Sequence, residues 1–340
     1  MKKVIIFDVN PLYHEYILKD CSLNLYLIHD LSSLQKKSIL NFIFTKLKRL
    51  LLYLKFFILI KFLGVKLVIC TIYNSLFISK MIDRYPKVNF MVIQHYTTFE
   101  HEQKNVKRLN LGNFFCFGES QKKLIQKKHN IKNINLIGSP TFSIFKEVKP
   151  QNIQKKFNIC YISQWTPNSL INKGNLKDPK ITNILKLENN LKQFLKKYNH
   201  SIVFALRSFN KDQEYQYFNL NFGNRGEIHI RKNYFDTYEL IEKSDVTLTG
   251  WSTCAYEAFA DNNKVLFNPY KSKELQLFSN DLCTIEDDNF DVFENKLNKL
   301  LNLNKDEFYK RTSQDQNNII DKSCLQNAHL KVKDKINDLA

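Results

Sequence analysis

The residues best suited to chemistry follow a short predicted strand in the second half of the chain. The strand covers 246–248, and the chain then turns through Gly250, Trp251 and Ser252 into a helix that begins at Thr253. Serine is a favourable N-cap residue. A helix that starts at the carboxyl end of a strand presents free N–H groups and the positive end of its dipole. Because Ser252 and Thr253 add hydroxyl donors, this turn predicts an anion site suited to a phosphate.

Two charged side chains are candidates for the same ligand. Glu257 lies one helical turn further on, at the distance expected of a carboxylate that accepts from ribose hydroxyls. Arg207 follows a predicted strand at 202–205, and its guanidinium can clamp a phosphate through two hydrogen bonds. The residues leave alternatives open. Glu257 can face solvent on a merely capped helix, and Arg207 can pair at the surface with Glu214 or Glu239.

A third strand end carries a polar and an aromatic side chain. Gln164 and Trp165 follow the predicted strand at 158–162 and begin a loop. They can form hydrogen bonds to a base or a sugar and stack on it. The alternative is that Trp165 is a hydrophobic plug for the core.

In the first half, candidate bases are concentrated in one loop. The segment 94–102 follows a predicted strand and holds two histidines and two glutamates. A transfer to a hydroxyl group needs a base that takes its proton, for which His95, Glu100 and Glu102 are the candidates and His101 is the next choice. The spacing of these residues is not that of a zinc-binding helix, so we expect no metal.

Two further strand ends complete the set. Asp8 ends the first predicted strand and either positions an acceptor or caps the following turn. Gly138, Ser139 and Pro140 follow the last predicted strand of the first half. We expect these three residues to shape the backbone between two domains.

Short β-rich runs alternate with longer helical patterns, which predicts parallel sheets covered by helices on both faces. A polar segment at 147–156 separates two such series. We predict an α/β fold of two Rossmann-like doubly wound domains that face a cleft, where open sheets bind ligands. The predicted domains are a basic domain at 1–150, a second domain at 151–305, and C-terminal helices at 306–340 that pack back on the first domain. The predicted strands lie at 4–7, 25–29, 66–71, 89–94, 113–117, 135–137, 158–162, 202–205, 227–230, 246–248 and 265–267, and the predicted helices at 33–62, 75–84, 119–129, 183–198, 235–243, 253–261, 289–302 and beyond 305.

The composition favours a globular protein with an anionic partner. The 340 residues are 44% hydrophobic, which argues against disorder, and carry a formal charge of +18. Residues 1–150 hold 24 Lys and Arg against 9 Asp and Glu, so this part alone carries +15. Such asymmetry suggests a polyanion or an anionic membrane surface, with a lysine-rich solvated face as the alternative. Seven scattered cysteines and an N-terminus without a signal-peptide pattern predict a cytoplasmic location.

One apolar stretch, at 50–63, is interrupted by Lys55 and Lys61 and is too short to span a membrane. Two interpretations remain. The stretch is a buried helix of the first domain, or it is a basic amphipathic helix that lies in the headgroup region of a membrane. The basic residues at 46, 48 and 49 fit the second interpretation.

The segment 244–269, SDVTLTGWSTCAYEAFADNNKVLFNP, resembles the nucleotide-sugar end of GT-B glycosyltransferases. The upstream RKNYFDTYELIEKSDV resembles the helix that precedes it in that family. In the first half, FFCFGESQKKLI followed by NINLIGSPTF resembles the element near the end of the N-terminal domain. The variant GWSTCAYEA looks most like transferases of bacterial capsule and lipopolysaccharide, including the branch that transfers Kdo and other nonulosonates.

This resemblance implies a metal-independent transferase without a cofactor. Its second domain would bind a CMP- or UDP-linked sugar, and its first domain a glycan or lipid-linked glycan acceptor. The protein would act as a peripheral enzyme on the inner face of the cytoplasmic membrane. Many relatives have a His-Pro pair where this chain has Arg207 and Ser208, so the resemblance does not fix the subfamily.

Two other functions remain open. Sugar-nucleotide 2-epimerases share the architecture but need no acceptor. A basic nucleic-acid-binding protein is the third possibility, although the sequence has no recognition-helix motif and no interleaved arginines and aromatics. We therefore expect no nucleic acid partner. The glycine-rich loops of kinases and dinucleotide enzymes are also absent from the sequence.

Overall fold

The computed structural model describes residues 2–19, 21, 23–28, 39–99, 107–149, 153–165, 179–207, 212–269, 277–278 and 280–340. The strands are β1 (Lys2–Phe7), β2 (Leu23–Ile28), β3 (Leu67–Cys70), β4 (Asn89–Ile93), β5 (Asn110–Cys116), β6 (Asn130–Leu136), β7 (Phe157–Ile162), β8 (Ile202–Ala205), β9 (Glu227–His229), β10 (Ser244–Thr249) and β11 (Lys264–Phe267). The helices are α1 (Pro11–Tyr13), which continues as a π-turn (His14–Leu18), α2 (Ile39–Lys61), α3 (Leu76–Arg84), α4 (Glu119–Lys128), α5 (Pro140–Val148), α6 (Pro179–Lys197), α7 (Asp212–Phe222), α8 (Asp236–Glu242), α9 (Thr253–Ala260), α10 (Phe290–Asn302), α11 (Lys305–Ile319) and α12 (Ala328–Leu339).

The first compact unit comprises Met1–Tyr96, Asn105–Ile144 and Ser323–Ala340. Its six strands form one sheet in the order β2-β1-β3-β4-β5-β6, and every neighbouring pair is parallel. Most residues of the inner strands are apolar and buried, and all four residues of β3 are. This pattern is typical of a parallel sheet with helices on both faces.

The second compact unit comprises Thr97–Lys104 and Phe145–Lys322. Its five strands form another parallel sheet in the order β11-β10-β7-β8-β9. The central strands β10 and β7 pair with Leu248 opposite Tyr161. One of the places where the chain passes from the first unit to the second lies within α5, between Ile144 and Phe145.

Each sheet has a switch point, where the order of strands reverses direction. In the first sheet the switch point lies between β1 and β3, and in the second it lies between β10 and β7. Open α/β sheets bind ligands outside the carboxyl ends of their strands at this point. The strand order therefore predicts that ligands bind near the residues that follow β1, β3, β7 and β10.

The predicted fold class is confirmed, since both units are parallel doubly wound sheets. Every strand of the described residues was predicted, although some are longer than expected. The edge strand β6 is the clearest case, because its first half contains the exposed polar residues Asn130, Lys132 and Asn133, which interrupt the apolar run. Among the described residues, the helices α1, α5 and α7 were not predicted as helices.

The sequence predicts that the apolar stretch at 50–63 is too short to span a membrane. Among the described residues, no helix is both long enough and apolar enough to cross a bilayer.

Candidate functional site

The switch point of the second sheet is built from the ends of β10 and β7. Gln164 follows β7, and its side-chain oxygen Oε1 accepts a hydrogen bond of 2.9 Å from the backbone N–H of Trp251. Gly250 allows this contact, since a Cβ atom at this position would lie 2.4 Å from Gln164 Oε1. The turn that begins α9 is therefore fastened to the end of the neighbouring strand by a buried amide.

The hydrogen bond between Trp251 and Gln164 predicts that a side chain at position 250 destabilises the fold. A Gly250→Ala substitution will push the Gln164 side chain away from the Trp251 N–H and lower the free energy of unfolding by about 1–3 kcal/mol, the cost of leaving a buried polar group unpaired. Chemical denaturation measures this change. A Gln164→Ala background serves as the control, because there the same glycine substitution has no amide to displace. An equal loss of stability in both backgrounds would contradict the proposed contact.

The helix α9 begins without a side-chain cap. Ser252 is the N-cap residue, and its carbonyl oxygen accepts hydrogen bonds from the N–H groups of Ala255 and Tyr256. Its hydroxyl forms no capping hydrogen bond. The first turn of a helix has N–H groups without intrahelical partners, and these groups carry the positive end of the dipole. The start of α9 can therefore bind an anion.

The hydroxyl of Thr253 has a different role from the one expected. It lies 3.0 Å from the backbone nitrogen of Thr97, which donates to it, and 3.0 Å from the hydroxyl of Thr97. These bonds tie the segment that begins at Thr97 to the first residue of α9. Thr253 thus fixes Thr97 within the second unit, and the Ser252 hydroxyl, which makes no capping hydrogen bond, is the remaining candidate for a contact with a ligand.

Three buried side chains at the same edge of this sheet have unpartnered polar atoms. Trp165 follows β7, Thr249 ends β10 and Asn268 follows β11. Within the described part of the chain, no hydrogen-bond partner reaches Trp165 Nε1, Thr249 Oγ1 or either polar atom of the Asn268 side chain. Buried polar groups in native proteins are nearly always paired. Their concentration at adjacent strand ends favours a polar ligand at this edge.

Arg207 follows β8 at this edge, and its side chain is exposed. Among the residues the structure covers, no acid lies within ion-pair distance of its guanidinium. Glu214 instead accepts the backbone N–H of Arg207 at 3.0 Å, and Glu239 pairs with Lys243 at 3.5 Å. The guanidinium is therefore available to an anionic ligand.

Glu214 is a positioning residue that sequence reasoning missed. The oxygen Oε1 that accepts from Arg207 also accepts a hydrogen bond of 2.6 Å from the hydroxyl of Ser163. That hydroxyl in turn accepts the N–H of Trp165 at 3.2 Å. One buried carboxylate thus holds the ends of β7 and β8. Its position in α7 gave no signal, since α7 was not predicted.

Glu257 is buried rather than solvent-facing, being 1% exposed. Its oxygen Oε2 accepts a hydrogen bond of 2.5 Å from the hydroxyl of Tyr238, and burial raises the pKa of this tyrosine well above its ordinary value. Tyr238 is stacked on Phe145 with ring centroids 5.1 Å apart. The carboxylate is therefore held in a fixed place inside the second unit. Its contact with a ribose stays a prediction.

The switch point of the first sheet brings Asp8 and His95 together through a residue that the sequence did not single out. Thr71 directly follows β3, and its hydroxyl donates to the backbone carbonyl of Asp8 at 2.7 Å. Its own carbonyl lies 2.7 Å from Nδ1 of His95. Asp8 has a φ of 45°, a left-handed conformation that aspartate tolerates better than most residues. Thr71 therefore links the ends of β1 and β3 with the loop after β4.

The contact with Thr71 fixes the tautomer of His95. A carbonyl oxygen can only accept, so Nδ1 carries the proton and Nε2 keeps its lone pair. Burial lowers the pKa of His95 below its ordinary value of 6.5, against a smaller opposing effect of the bond to Thr71. The ring is therefore neutral at pH 7. It has the protonation state of a general base.

Gln94 positions this histidine. Its amide nitrogen donates to the carbonyl of Tyr96 at 2.9 Å and to the side-chain oxygen of Gln121 at 2.5 Å. Its amide oxygen accepts the N–H of Phe117 at 3.0 Å. Gln94 thus joins the residues on either side of His95 to the end of β5. The other candidate bases, Glu100 and Glu102, and the neighbouring His101 lie outside the described residues.

Gly138, Ser139 and Pro140 form the start of α5. Gly138 has a φ of 74°, and a Cβ atom there would lie 3.2 Å from the Cβ of Cys324. The hydroxyl of Ser139 accepts the N–H of Phe142 at 3.3 Å, and Pro140 is the first helical residue. Glycine is required here by both its φ and the close approach of the C-terminal segment. These three residues thus shape the backbone just before the unit boundary.

No metal site emerges from the described residues. Among them, no group of three or more His, Cys, Asp or Glu side chains could hold a metal ion.

No protein-family model matches this chain, and no curated protein sequence matches it at a significant level. Solved structures do match over nearly the whole length. One is the UDP-GlcNAc 2-epimerase of Methanocaldococcus jannaschii in complex with UDP-GlcNAc and UDP, at 12% identity and a TM-score of 0.60, covering 98% of this chain and 100% of that one. Another is the UDP-GlcNAc 2-epimerase of Neisseria meningitidis bound to UDP-GlcNAc, at 12% identity and a TM-score of 0.60, covering 99% and 100%.

A third similar structure is a variant of the wall teichoic acid polymerase TagF. The identity is 12%, the TM-score is 0.52, and the match covers 99% of this chain and 88% of that one. At an identity as low as 12%, structural similarity shows a shared fold and not a shared activity. The chain therefore has the GT-B fold of two Rossmann-like domains, as predicted. None of these three structures belongs to the Kdo and nonulosonate branch, so they lend that part of the resemblance no support.

Proposed function

We propose that this protein is a glycosyltransferase that moves a sugar from a nucleotide-sugar donor to a growing bacterial surface glycan. The observation that carries the proposal is the 2.7 Å contact between Nδ1 of His95 and the Thr71 carbonyl, which leaves Nε2 of the neutral ring unprotonated. Burial lowers the pKa of His95 and so favours this neutral form. A base of this kind matches the task of taking a proton from an acceptor hydroxyl. Transfer to a hydroxyl is what separates a transferase from enzymes that act on the donor alone.

The second unit supplies the chemistry that a leaving nucleotide requires. The uncapped start of α9 and the exposed guanidinium of Arg207 can stabilise the negative charge that develops on the departing phosphate. Trp165, Thr249 and Asn268 offer polar atoms to the rest of the donor. Glu257 is the candidate for the ribose hydroxyls. In this proposal the chain's own groups carry the electrostatic stabilisation, so we expect a metal-independent reaction.

The donor is proposed to be a UDP-sugar. The support is that the epimerase structures of the same fold contain UDP-GlcNAc, and one of them also UDP. A CMP-linked acidic sugar is the other donor, which the resemblance to the Kdo and nonulosonate branch implies. Binding of UDP, CMP, GDP and CDP in a thermal-shift screen separates these donors, because a ligand that binds only the folded state raises its melting temperature.

The acceptor is proposed to be a glycan, and a lipid-linked one fits the charge of the chain. Residues 1–150 carry a formal charge of +15, which favours an anionic surface. We propose that the enzyme works peripherally at the cytoplasmic face of the membrane, where such an acceptor is available.

The second candidate function is a sugar-nucleotide 2-epimerase. It is favoured by the epimerase structures that match 98–99% of the chain. Epimerisation, however, needs an acid/base pair around one sugar carbon. Within the described part of the chain, only the Thr71 carbonyl contacts a nitrogen of His95. Taking a proton from a hydroxyl group needs only one such base, which His95 can provide.

One experiment separates the two functions. The full chain is incubated with UDP-GlcNAc in D₂O, without acceptor, and the sugar is followed by NMR. A transferase leaves the proton at C2 in place, and it releases UDP only after bacterial membranes are added as the source of acceptor. Deuterium at C2 in the absence of acceptor would overturn the transferase and establish the epimerase.

A further inference from the structure

The helix α2 is apolar on two opposite sides. One side packs into the core of the first unit, where Phe56 is fully buried and Leu59 is 5% exposed. A surface helix normally has one apolar side that faces the core and a polar side that faces water. The outward side of α2 does not follow this rule.

The outward side carries what we call the apolar stripe. Its successive members lie four, three, four and four residues apart, so they share one face of the helix. The last member is the first residue after the helix ends. Each side chain is between 43% and 74% exposed. The apolar stripe consists of Leu47, Leu51, Leu54, Ile58 and Phe62.

The apolar stripe is extended by two neighbours. Leu50 is 64% exposed beside it on α2. Leu27, on the edge strand β2, is 50% exposed, and the side chain of Lys55 reaches its carbonyl oxygen at 3.3 Å. Single exposed leucines are ordinary on a protein surface, but a contiguous patch of this kind marks an interaction site.

The charges on α2 are all of one sign. Lys48, Lys55 and Lys61 are exposed along the same helix. The sequence has no Asp or Glu between Asp30 and Asp83, so α2 carries no acidic residue at all. Apolar side chains flanked by lysines fit the boundary between acyl chains and anionic headgroups.

We propose that the apolar stripe docks on the surface of an anionic lipid bilayer, with α2 parallel to the membrane plane. Its leucines, isoleucine and phenylalanine insert at the acyl boundary, and the three lysines contact the headgroups. A second copy of the chain is a poorer occupant. A symmetric pair through this stripe would bring two basic helices together with no acid on α2 to neutralise them. This inference rests on the peripheral membrane location that we proposed for the enzyme, and its vesicle-binding test does not require transferase activity.

The test uses the full chain and sedimentation with two kinds of vesicles, phosphatidylcholine alone and phosphatidylcholine mixed with phosphatidylglycerol. The wild-type chain is expected to bind the mixed vesicles, with affinity that falls as salt rises. A Leu51→Gln/Leu54→Gln/Ile58→Gln variant is expected to lose at least about tenfold in partition coefficient. A Lys48→Gln/Lys55→Gln/Lys61→Gln variant is expected to lose a similar factor.

Matched controls separate the apolar stripe from the general properties of the surface. Leu220, which is 84% exposed on α7, is changed to Gln as the apolar control. The exposed lysines 196, 299 and 310 of the second unit are changed to Gln as the charge control. Both controls should bind the mixed vesicles like the wild type. Thermal unfolding checks that all variants are folded, which is expected because the substituted side chains are exposed.

Three outcomes would overturn the proposal. The first is equal binding of the wild-type chain to both kinds of vesicles. The second is unchanged binding of the two α2 variants to the mixed vesicles. The third is a wild-type dimer in sedimentation velocity that the Leu51→Gln/Leu54→Gln/Ile58→Gln variant dissociates, together with no vesicle binding, which would assign the apolar stripe to a second copy.

Discussion

A His95→Asn variant will lose most of its transfer activity, with kcat falling roughly 10²- to 10⁴-fold, the usual contribution of a positioned general base. The asparagine amide can still donate to the Thr71 carbonyl in place of Nδ1, so the loop after β4 keeps its anchor. What the variant lacks is the lone pair at Nε2. Steady-state kinetics with a saturating donor measures the loss.

The control for this variant is His14→Asn, at an exposed histidine of the π-turn. It should keep wild-type activity. The affinity of the His95→Asn variant for UDP should also stay unchanged, since the proposed nucleotide site lies in the second unit. Near-normal turnover by His95→Asn would assign the base to another residue.

The same histidine sets a pH dependence. Burial lowers the pKa of His95 below 6.5, and the unprotonated form is the active one. Activity is therefore full above this lowered pKa and falls as the pH drops through it, so the acid limb of kcat/KM lies below pH 6.5. In His95→Asn this limb should be missing. A limb of the same pKa in the variant would belong to a different group.

An Arg207→Gln variant is expected to bind UDP roughly 10- to 100-fold more weakly. Its guanidinium is exposed and has no acidic partner within the described residues, so its contacts with a diphosphate are made only in the complex. A hydrogen bond to a charged group contributes about 1.5–3 kcal/mol, which corresponds to this factor. Isothermal titration calorimetry with UDP measures it.

The phosphate contact has a specific signature. Arg207→Gln should weaken the binding of UDP but leave the binding of uridine unchanged. Arg207→Lys should recover part of the loss, because an ammonium group keeps the charge but not the paired hydrogen bonds. Arg225→Gln is the matched control at an exposed arginine whose partner is the carbonyl of Leu195. If Arg207→Gln and Arg225→Gln bind UDP equally well, Arg207 has no part in the site.

The strands were predictable because parallel sheets need continuous apolar runs. β3 and β8 consist entirely of buried apolar residues, so their sequences identify them directly. The helix α7 was missed because one of its buried residues is Glu214, whose burial depends on hydrogen bonds from Ser163 and Arg207. A buried carboxylate breaks the apolar period from which helices are predicted.

The sequence predicted that the candidate site lies at strand ends, but it did not predict the contacts between the residues of the site. The rule that ligands bind at the carboxyl ends of parallel strands selects Asp8, Gln164 and Gly250 from the sequence. Which of these strand ends are neighbours depends on the order of the strands in the sheet. That order cannot be obtained from the spacing of residues in the sequence. Thr71 shows the difference. It directly follows a buried strand, which was a usable signal, but its two contacts join residues 63 and 24 positions away.

We propose that the carboxyl edge of the second sheet binds the nucleotide. Amide hydrogen exchange with and without UDP can locate this binding. We predict slower exchange in peptides that cover 249–257 and 162–165 when UDP is saturating, with little change at the exposed face of α2. Binding of UDP with protection confined to other parts of the chain would contradict the account, and so would a failure to bind any of UDP, GDP, CMP and CDP.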